Sequence, residues 1–183
     1  MLPIIHLKET ISTNTFLQQL VLEQTVEEET VVITHNQTGG RGQRGNSWES
    51  EPGKNLTFSI ILYPHLPGEK SFLISQMVSQ SIKQVLDTYI SDVIIKYPND
   101  IYYQNKKIAG ILIENSMTDG FLSQSIIGIG LNVNQEIFRS DAPNPVSLKQ
   151  ITGLTYDLNI LLQQLIDVLM KLYIDLRDQI ATA

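Results

Sequence analysis

A glycine-rich segment between two strand-like stretches is the feature that most restricts how this chain can fold. Residues 40–48 read Gly-Arg-Gly-Gln-Arg-Gly-Asn-Ser-Trp, after the β-branched stretch 30–35 and before the apolar stretch 55–62. The spacing satisfies G-x-G-x-x-G, but a dinucleotide-binding fold requires a helix directly after that motif. Pro52 and Gly53 follow instead. The pattern therefore argues against a Rossmann fold and predicts a glycine-rich loop, over 38–54, between two strands.

The residue types of this loop suit an anionic, nucleotide-like ligand. Glycine lets the backbone approach a ligand closely, and arginine presents a planar fork of donors that suits phosphate and carboxylate. Trp48, the only tryptophan of the chain, offers a flat face on which a base can stack. Two plainer interpretations stay open: a flexible arginine-bearing hairpin loop without a ligand, and a tryptophan that belongs to the core.

The composition favours one soluble globular domain. The 183 residues are 42% hydrophobic and 17% charged, and this length is sufficient for a sizeable core. A formal net charge of −6 argues against a broad nucleic-acid-binding surface. The chain has no cysteine, which excludes disulfides and thiolate metal sites, and its three histidines are scattered as structural or surface residues. Without a signal-peptide pattern or a membrane-spanning apolar run, we expect a cytoplasmic protein.

Hydrophobic periodicity predicts an α+β fold, a mixed, largely antiparallel sheet with helices packed on it. Strands are predicted over 3–8, 30–37, 55–63, 93–97, 107–115 and 121–134. Helices are predicted after Ser12, over 70–89, near 147–152 and over about 157–180. The strands cluster instead of alternating strictly with helices, which favours the α+β class.

A second polar group follows the fourth predicted strand. Asn99 and Asp100 are expected at the mouth of that strand. Lys107 borders an otherwise apolar strand, and hairpin pairing would bring its ammonium and the Asp100 carboxylate to one side of a cleft. An ordinary turn with a solvated tip explains most of the same residues. Gly128 and Gly130, inside another strand, indicate a bulge or a close backbone approach.

Taken together and in this order, five motifs resemble those of the catalytic domain of the biotin–protein ligases, the bacterial biotin–[acetyl-CoA-carboxylase] ligase family. The motifs are Ser12-Thr-Asn14, Gly40-Arg-Gly-Gln-Arg-Gly45 with Trp48, Lys96-Tyr-Pro-Asn-Asp100, Lys107-Ile-Ala-Gly-Ile-Leu-Ile-Glu114 and Gly128-Ile-Gly-Leu-Asn132. The resemblance implies a fold like that of class II aminoacyl-tRNA synthetases. It also implies two reactions: activation of biotin by ATP and Mg²⁺ to biotinyl-5′-adenylate, and transfer of biotin to a lysine of a biotin carboxyl carrier protein.

The same resemblance assigns roles to individual residues. The catalytic residues it implies are Lys107, Arg41, Arg44 and Asp100, with Asp100 also as the Mg²⁺ ligand. The biotin-binding residues it implies are Ser12, Thr13, Asn14, Gln37, Gly40, Arg41, Lys107, Gly110, Gly128 and Gly130. The residues it implies for ATP and the adenylate are Arg41, Gly42, Gln43, Arg44, Trp48, Asn99, Lys107 and Asn132. An ordinary helix cap is the alternative role for Ser12, Thr13 and Asn14.

Two positions depart from the family pattern. Tyr97 stands where relatives usually have tryptophan, and Gln43 where some have arginine. Relatives normally carry a small β-barrel domain after the catalytic one. We therefore expect residues 1–183 to be the catalytic domain alone, without that barrel and without an N-terminal DNA-binding domain.

These expectations extend to partners and cofactors. The acceptor would be the carrier protein of acetyl-CoA carboxylase or of a related carboxylase, with no DNA, no membrane and no tightly bound prosthetic group. A homodimer is compatible with the resemblance. Lipoate or octanoyl ligation or transfer on the related fold, and a non-catalytic biotin-binding module, are the alternative functions.

Overall fold

The strands form one main sheet in a computed structural model, which describes residues 2–140 and 144–181. The strands are β1 Ile4–Thr10, β2 Val31–Gln37, β3 Gly40–Arg41, β4 Ser47–Trp48, β5 Leu56–Leu62, β6 Leu66–Pro67, β7 Val93–Lys96, β8 Asp100–Tyr103, β9 Lys106–Thr118 and β10 Phe121–Leu131. The α-helices are α1 Thr13–Glu23, α2 Phe72–Leu86, α3 Leu148–Thr152 and α4 Leu158–Ala181, and two short 3₁₀ turns are Gln43–Gly45 and Gly68–Lys70.

The topology confirms the predicted α+β class. The main sheet has the order β1-β2-β5-β10-β9-β8-β7, and β6 pairs with β10 beside that path. β1 and β2 run parallel, whereas the other strand pairs in the described residues are antiparallel. The glycine-rich loop carries its own ribbon, in which β3 pairs with β4.

Two apolar layers cover opposite faces of the sheet because successive strand residues point to opposite sides. Val31 and Phe58 belong to the larger layer, which is closed by α2 and α4. Val32 and Ile61 belong to the smaller layer, together with Leu17 of α1. Every residue of β5 is buried, which is the pattern of a strand covered on both faces. The eleven-residue α1 packs against β2, β5 and β10, and the site lies beside it on the same face.

Several elements differ from the prediction. The short strands β3, β4 and β6 lie in segments predicted as loop or turn, and β9 extends to Thr118 instead of ending at residue 115. β8 was not predicted, because its four residues follow Pro98 and Asn99 and resemble the end of a turn. The strand predicted over 121–134 ends at Leu131. Beyond it the backbone N–H of Asn134 donates to the Lys54 carbonyl, so the chain leaves the sheet. No helix within the described ranges combines the length and apolar character needed to cross a membrane.

Candidate functional site

The floor of the site is a patch of small residues on the α1 face of the sheet. The strand register places Gly110 opposite Gly130, and Gly128 opposite both Leu112 and Ser59. Directly paired residues of antiparallel strands project to the same face. A first cavity of about 410 Å³ lies over this patch, between α1, the glycine-rich loop and β8. This volume is within the usual range of small-molecule sites.

The first cavity gathers most of the residues predicted from the sequence. All of the predicted site residues line it except Gly40 and Asn132. Seven lining residues were not assigned from the sequence: Asn46, Ser47, Tyr97, Pro98, Ile111, Leu112 and Ile129. The sequence interpretation found most of the polar residues because their types suggest chemistry. It missed the apolar ones because they resemble any core residue, and it gave no role to the polar residues Asn46 and Ser47 of the loop.

The start of α1 forms one wall and serves two purposes. Ser12 is the N-cap, and its side chain accepts a hydrogen bond from the Thr15 backbone N–H, so the capping interpretation is confirmed. The adjoining Thr13 N–H donates to Gln37 Oε1 at 3.0 Å. Ser12 and Thr13 are also buried and line the first cavity. Capping and lining a cavity are therefore not alternatives at this position.

Asn14 is the centre of a buried polar network below the cavity. Its Oδ1 accepts a hydrogen bond from Ser59 Oγ at 2.6 Å. Its Nδ2 donates to the Leu112 carbonyl at 3.2 Å and to Glu114 Oε2 at 2.8 Å. Asn14 is 2% exposed, so both ends of its amide are fixed by protein groups. A satisfied buried network of this kind holds a side chain in one orientation.

The strand glycines accommodate side chains of the protein itself. A Cβ atom at Gly128 would lie 2.4 Å from Asn14 Oδ1, and one at Gly130 would lie 2.3 Å from Trp48 Cε2. A Cβ at Gly110 would approach Trp48 Cζ3 to 3.0 Å. The sequence interpretation expected these glycines to leave room for a ligand. In the structure, Asn14 and Trp48 fill that room and themselves line the cavity.

Two positive side chains of the site, Lys107 and Arg41, are each paired with a carboxylate. Lys107 Nζ lies 2.7 Å from Asp100 Oδ1, which confirms that the β8–β9 hairpin brings the two groups together. The same ammonium lies 5.7 Å from the centre of the Trp48 ring. Arg41 donates from both terminal nitrogens to Glu114, at 3.1 and 3.0 Å. Both Lys107 and Arg41 line the first cavity.

The β3–β4 ribbon holds the glycine-rich loop over the cavity. Gly40 pairs with Trp48, and a Cβ at Gly40 would lie 2.4 Å from the Trp48 carbonyl oxygen. Gly40 therefore allows the two strands of the ribbon to pair closely. It does not itself line the first cavity. Between its strands, Arg44 adopts a left-handed backbone with φ 55°, a conformation that is uncommon for residues other than glycine. Such backbone strain is frequent at ligand-binding loops.

A second cavity of about 560 Å³ lies on the other side of Trp48. Residues 45–49 form one wall, Phe138, Arg139 and Ser140 form the other, and Asn132 contributes to the base. Asn132 donates to the Val146 carbonyl at 3.2 Å, and its Oδ1 is buried without a hydrogen-bond partner within the described chain. Trp48 Nε1 is likewise buried and unpaired there. Residues lining this cavity thus contribute one acceptor and one donor that have no hydrogen-bond partner in the described chain.

The two cavities meet at a small set of shared residues. Both are lined by Asn46, Ser47, Trp48, Asp100 and Lys107. A ligand group at the end of either cavity would therefore contact the same ammonium. This arrangement suits a reaction that joins two anionic ligands, because a fixed cation between them offsets their repulsion.

Asn99 acts mainly in fixing the strand end. Its Nδ2 donates to the Ile111 carbonyl at 3.0 Å, and its own carbonyl accepts from the Ile111 N–H at 2.9 Å. The plain turn interpretation explains these contacts, although Asn99 also lines the first cavity.

Asp100 was the predicted metal ligand. No cluster of three potential metal-ligating side chains occurs in the ranges described. Mg²⁺ in nucleotide sites is commonly held by one or two carboxylates together with substrate phosphates. A single carboxylate between two cavities fits a metal ion that arrives with a nucleotide, and it does not fit an all-protein cage.

Besides Asn46 and Ser47, sequence reasoning missed three polar residues that support the two cavities. Glu114 is the only acid of β9, and Ser59 is one of two hydroxyl residues in the apolar β5, so a polar residue in an apolar strand could have indicated both. Glu49 accepts hydrogen bonds from residues about ninety positions away, and no local pattern could have indicated it.

Comparisons with known proteins agree with this geometry. The biotin protein ligase from Aquifex aeolicus, solved in complex with biotin and ATP, superposes with a TM-score of 0.75 at 29% identity, over 96% of this chain and 72% of that one. The bifunctional ligase/repressor BirA of Bacillus spizizenii is 32% identical over 154 residues, which cover 81% of this chain and 47% of the relative. BirA of Escherichia coli is 30% identical over 158 residues, which cover 85% and 48%. The chain thus spans about half the length of these curated relatives.

The fold is that of a biotin protein ligase catalytic domain. The model of the Biotin/lipoate A/B protein ligase family matches residues 7–132, more than half of the chain. The chain therefore belongs to the biotin/lipoate A/B protein ligase family.

Proposed function

We propose that this chain is a biotin–protein ligase that activates biotin with ATP and transfers it to a carrier protein. The observation that carries the proposal is the position of Lys107 and Asp100 at the junction of two cavities. Adenylation requires two polyanionic or anionic substrates to meet, and this junction provides a fixed cation between them.

In this proposal biotin occupies the first cavity. Its ureido group needs both donors and acceptors, and the polar residues Thr13, Asn14 and Gln37 line one end of this cavity. Its carboxylate points to Lys107 at the other end. The adenosine part of ATP occupies the second cavity, where Trp48 offers a ring face and Asn132 offers its unpaired Oδ1.

The first step forms a bond between a carboxylate oxygen of biotin and the α-phosphorus of ATP, while the bond from that phosphorus to pyrophosphate breaks. Lys107, Arg41 and Arg44 offset the negative charge of the reacting groups. The ion pair with Asp100 holds the Lys107 ammonium at the junction, where the reacting groups meet. Glu114 fixes the guanidinium of Arg41 through two hydrogen bonds.

The second step transfers the acyl group. The neutral amine of an acceptor lysine attacks the acyl carbon of the adenylate, AMP leaves, and the amine releases a proton as the amide forms. We propose that the acceptor is the biotin carboxyl carrier protein of acetyl-CoA carboxylase or of a related carboxylase. Mg²⁺ would be carried by the ATP phosphates with Asp100 as its protein ligand, and it would supply further charge stabilisation.

Biotin is favoured over lipoate because the Aquifex aeolicus relative, which superposes over 96% of this chain, is a biotin protein ligase solved in complex with biotin and ATP. A non-catalytic biotin-binding module is less favoured because Lys107 and Asp100 connect the first cavity to a second one. The cytoplasmic location, the absence of a DNA partner and the assignment of residues 1–183 to a catalytic domain stay predictions, and a homodimer stays compatible with the resemblance.

Labelling tests the proposal directly. The protein is incubated with ATP, Mg²⁺, biotin and a biotin carboxyl carrier domain, and we expect biotin on one acceptor lysine by mass spectrometry. Replacing biotin with lipoate should give no product. Absence of both labelling and biotin-dependent pyrophosphate exchange would contradict the proposal, whereas tight biotin binding without ATP cleavage would favour the non-catalytic module.

A further inference from the structure

One carboxylate joins the two loops that wall the second cavity. Glu49 directly follows Trp48 at the end of the β3–β4 ribbon. Its Oε2 accepts hydrogen bonds from the backbone N–H of Ser140 at 2.6 Å and of Arg139 at 2.9 Å. Its Oε1 accepts from the Arg139 N–H and from Gln135 Nε2, each at 3.0 Å. Glu49 therefore holds residues 135–140 against the glycine-rich loop.

Gln135 anchors this connection in the interior. It is 1% exposed, and its Oε1 accepts hydrogen bonds from Asn55 Nδ2 at 2.6 Å and from the Glu51 N–H at 2.9 Å. Its Nε2 donates to Glu49 and to the Ile137 carbonyl. One end of the clamp thus rests on a buried side chain, while the other end reaches the exposed loop that carries Arg139.

The ionised carboxylate matches the donors around it. Burial raises the pKa of Glu49, but the hydrogen bonds from Ser140, Arg139 and Gln135 together lower it by more. The pKa of Glu49 therefore lies below its usual range. Two consecutive backbone N–H groups that point to one anion form a favourable anion site. A neutral amide oxygen could accept from these two N–H groups, but the NH₂ group of the amide would then face the Gln135 Nε2 donor.

We propose that Glu49 is a positioning residue for the nucleotide, an inference that rests on the proposed function. By clamping residues 135–140 to the glycine-rich loop, Glu49 fixes the two walls of the second cavity and keeps the Trp48 ring between the cavities. Glu49 touches neither Lys107 nor the floor of the first cavity in the contacts described. The hydrogen bonds of Glu49 thus lie on the ATP side of the site.

Steady-state kinetics and Trp48 fluorescence of the Glu49→Gln variant test this role. Trp48 is the only tryptophan, so its emission reports on this loop alone. We expect KM for ATP to rise about tenfold, with biotin affinity within about twofold of the wild type, since hydrogen bonds to a charged group have effects of this size. The ATP-induced change in Trp48 emission should shrink. The shorter but still charged Glu49→Asp variant should recover part of the ATP affinity.

The matched control is Glu51→Gln. It removes the same charge from an exposed side chain, two residues after Glu49. Its KM for ATP should equal that of the wild type. An unchanged KM for ATP in Glu49→Gln would overturn the inference, as would an equal loss of biotin binding, which would indicate a general folding role. A wild-type protein that binds neither biotin nor ATP would overturn the proposed function, and this inference with it.

Discussion

The two cavities are built in different ways. The first rests on paired strands and the first turn of a helix, and Asn14, Ser59 and Glu114 fix its polar groups through buried hydrogen bonds. The second is walled by loops, one of which is held through the Glu49 carboxylate. Regular backbone fixes side chains more precisely than loops do. The comparison indicates a preformed pocket for the smaller ligand and a pocket for the larger one that depends on loop order.

The residues at the junction belong to both cavities, so their loss should have the largest effect. We expect Lys107→Ala to lower the rate of adenylate formation by about 10²- to 10³-fold, the usual effect of removing one charge-stabilising group. Biotin-dependent pyrophosphate exchange measures this rate. Biotin binding, measured by calorimetry, should be largely retained because Lys107 contacts only the carboxylate end.

Lys106→Ala is the matched control for this change, because Lys106 is exposed and lines neither cavity. Its exchange rate should match that of the wild type. Normal turnover in Lys107→Ala would refute the role assigned to the junction.

The strand glycines offer a sharper comparison of the two cavities. Gly128→Ala would force Asn14 out of its network, so we expect biotin affinity to fall about tenfold, a typical cost of disturbing one buried hydrogen-bonded group. Gly130→Ala would instead displace the Trp48 ring, which lines both cavities. We therefore expect Gly130→Ala to shift the Trp48 emission of the free protein and to weaken the binding of ATP.

Calorimetry with each ligand and fluorescence of the free variants measure these effects. If Gly128→Ala and Gly130→Ala changed the two ligand affinities in the same proportion, the distinction between the cavities would be wrong.

The smallest effect should be the contribution of the Glu49 clamp to global stability. The pKa of Glu49 is lower in the folded than in the unfolded state, so its stabilisation is present above the unfolded pKa and is lost as the pH falls through the folded pKa. We expect Glu49→Gln to be less stable than the wild type by about 1 kcal/mol at neutral pH. This difference should shrink toward zero in acid.

Urea denaturation across this pH range measures that difference, with Glu51→Gln as the control. A difference that persists unchanged at pH values below the folded pKa would show that packing, and not the ionised carboxylate, accounts for it.

The sequence predicted the fold and the first cavity better than the second. Strand and helix periods, the cap at Ser12 and the pairing of Asp100 with Lys107 follow from local patterns, and the structure confirms them. The position of Trp48 over Gly130 depends on how the ribbon folds back over the sheet. The Glu49 contacts join loops that are far apart in the chain. The spacing of residues in the sequence therefore predicts neither the position of Trp48 nor the contacts of Glu49.

A crystal structure with biotin and a non-hydrolysable ATP analogue tests the central claim most directly. The account predicts biotin in the first cavity with its carboxylate about 3 Å from Lys107 Nζ, and the adenine in the second cavity beside Trp48. A biotin carboxylate that points away from Lys107, or a nucleotide bound outside the second cavity, would contradict it.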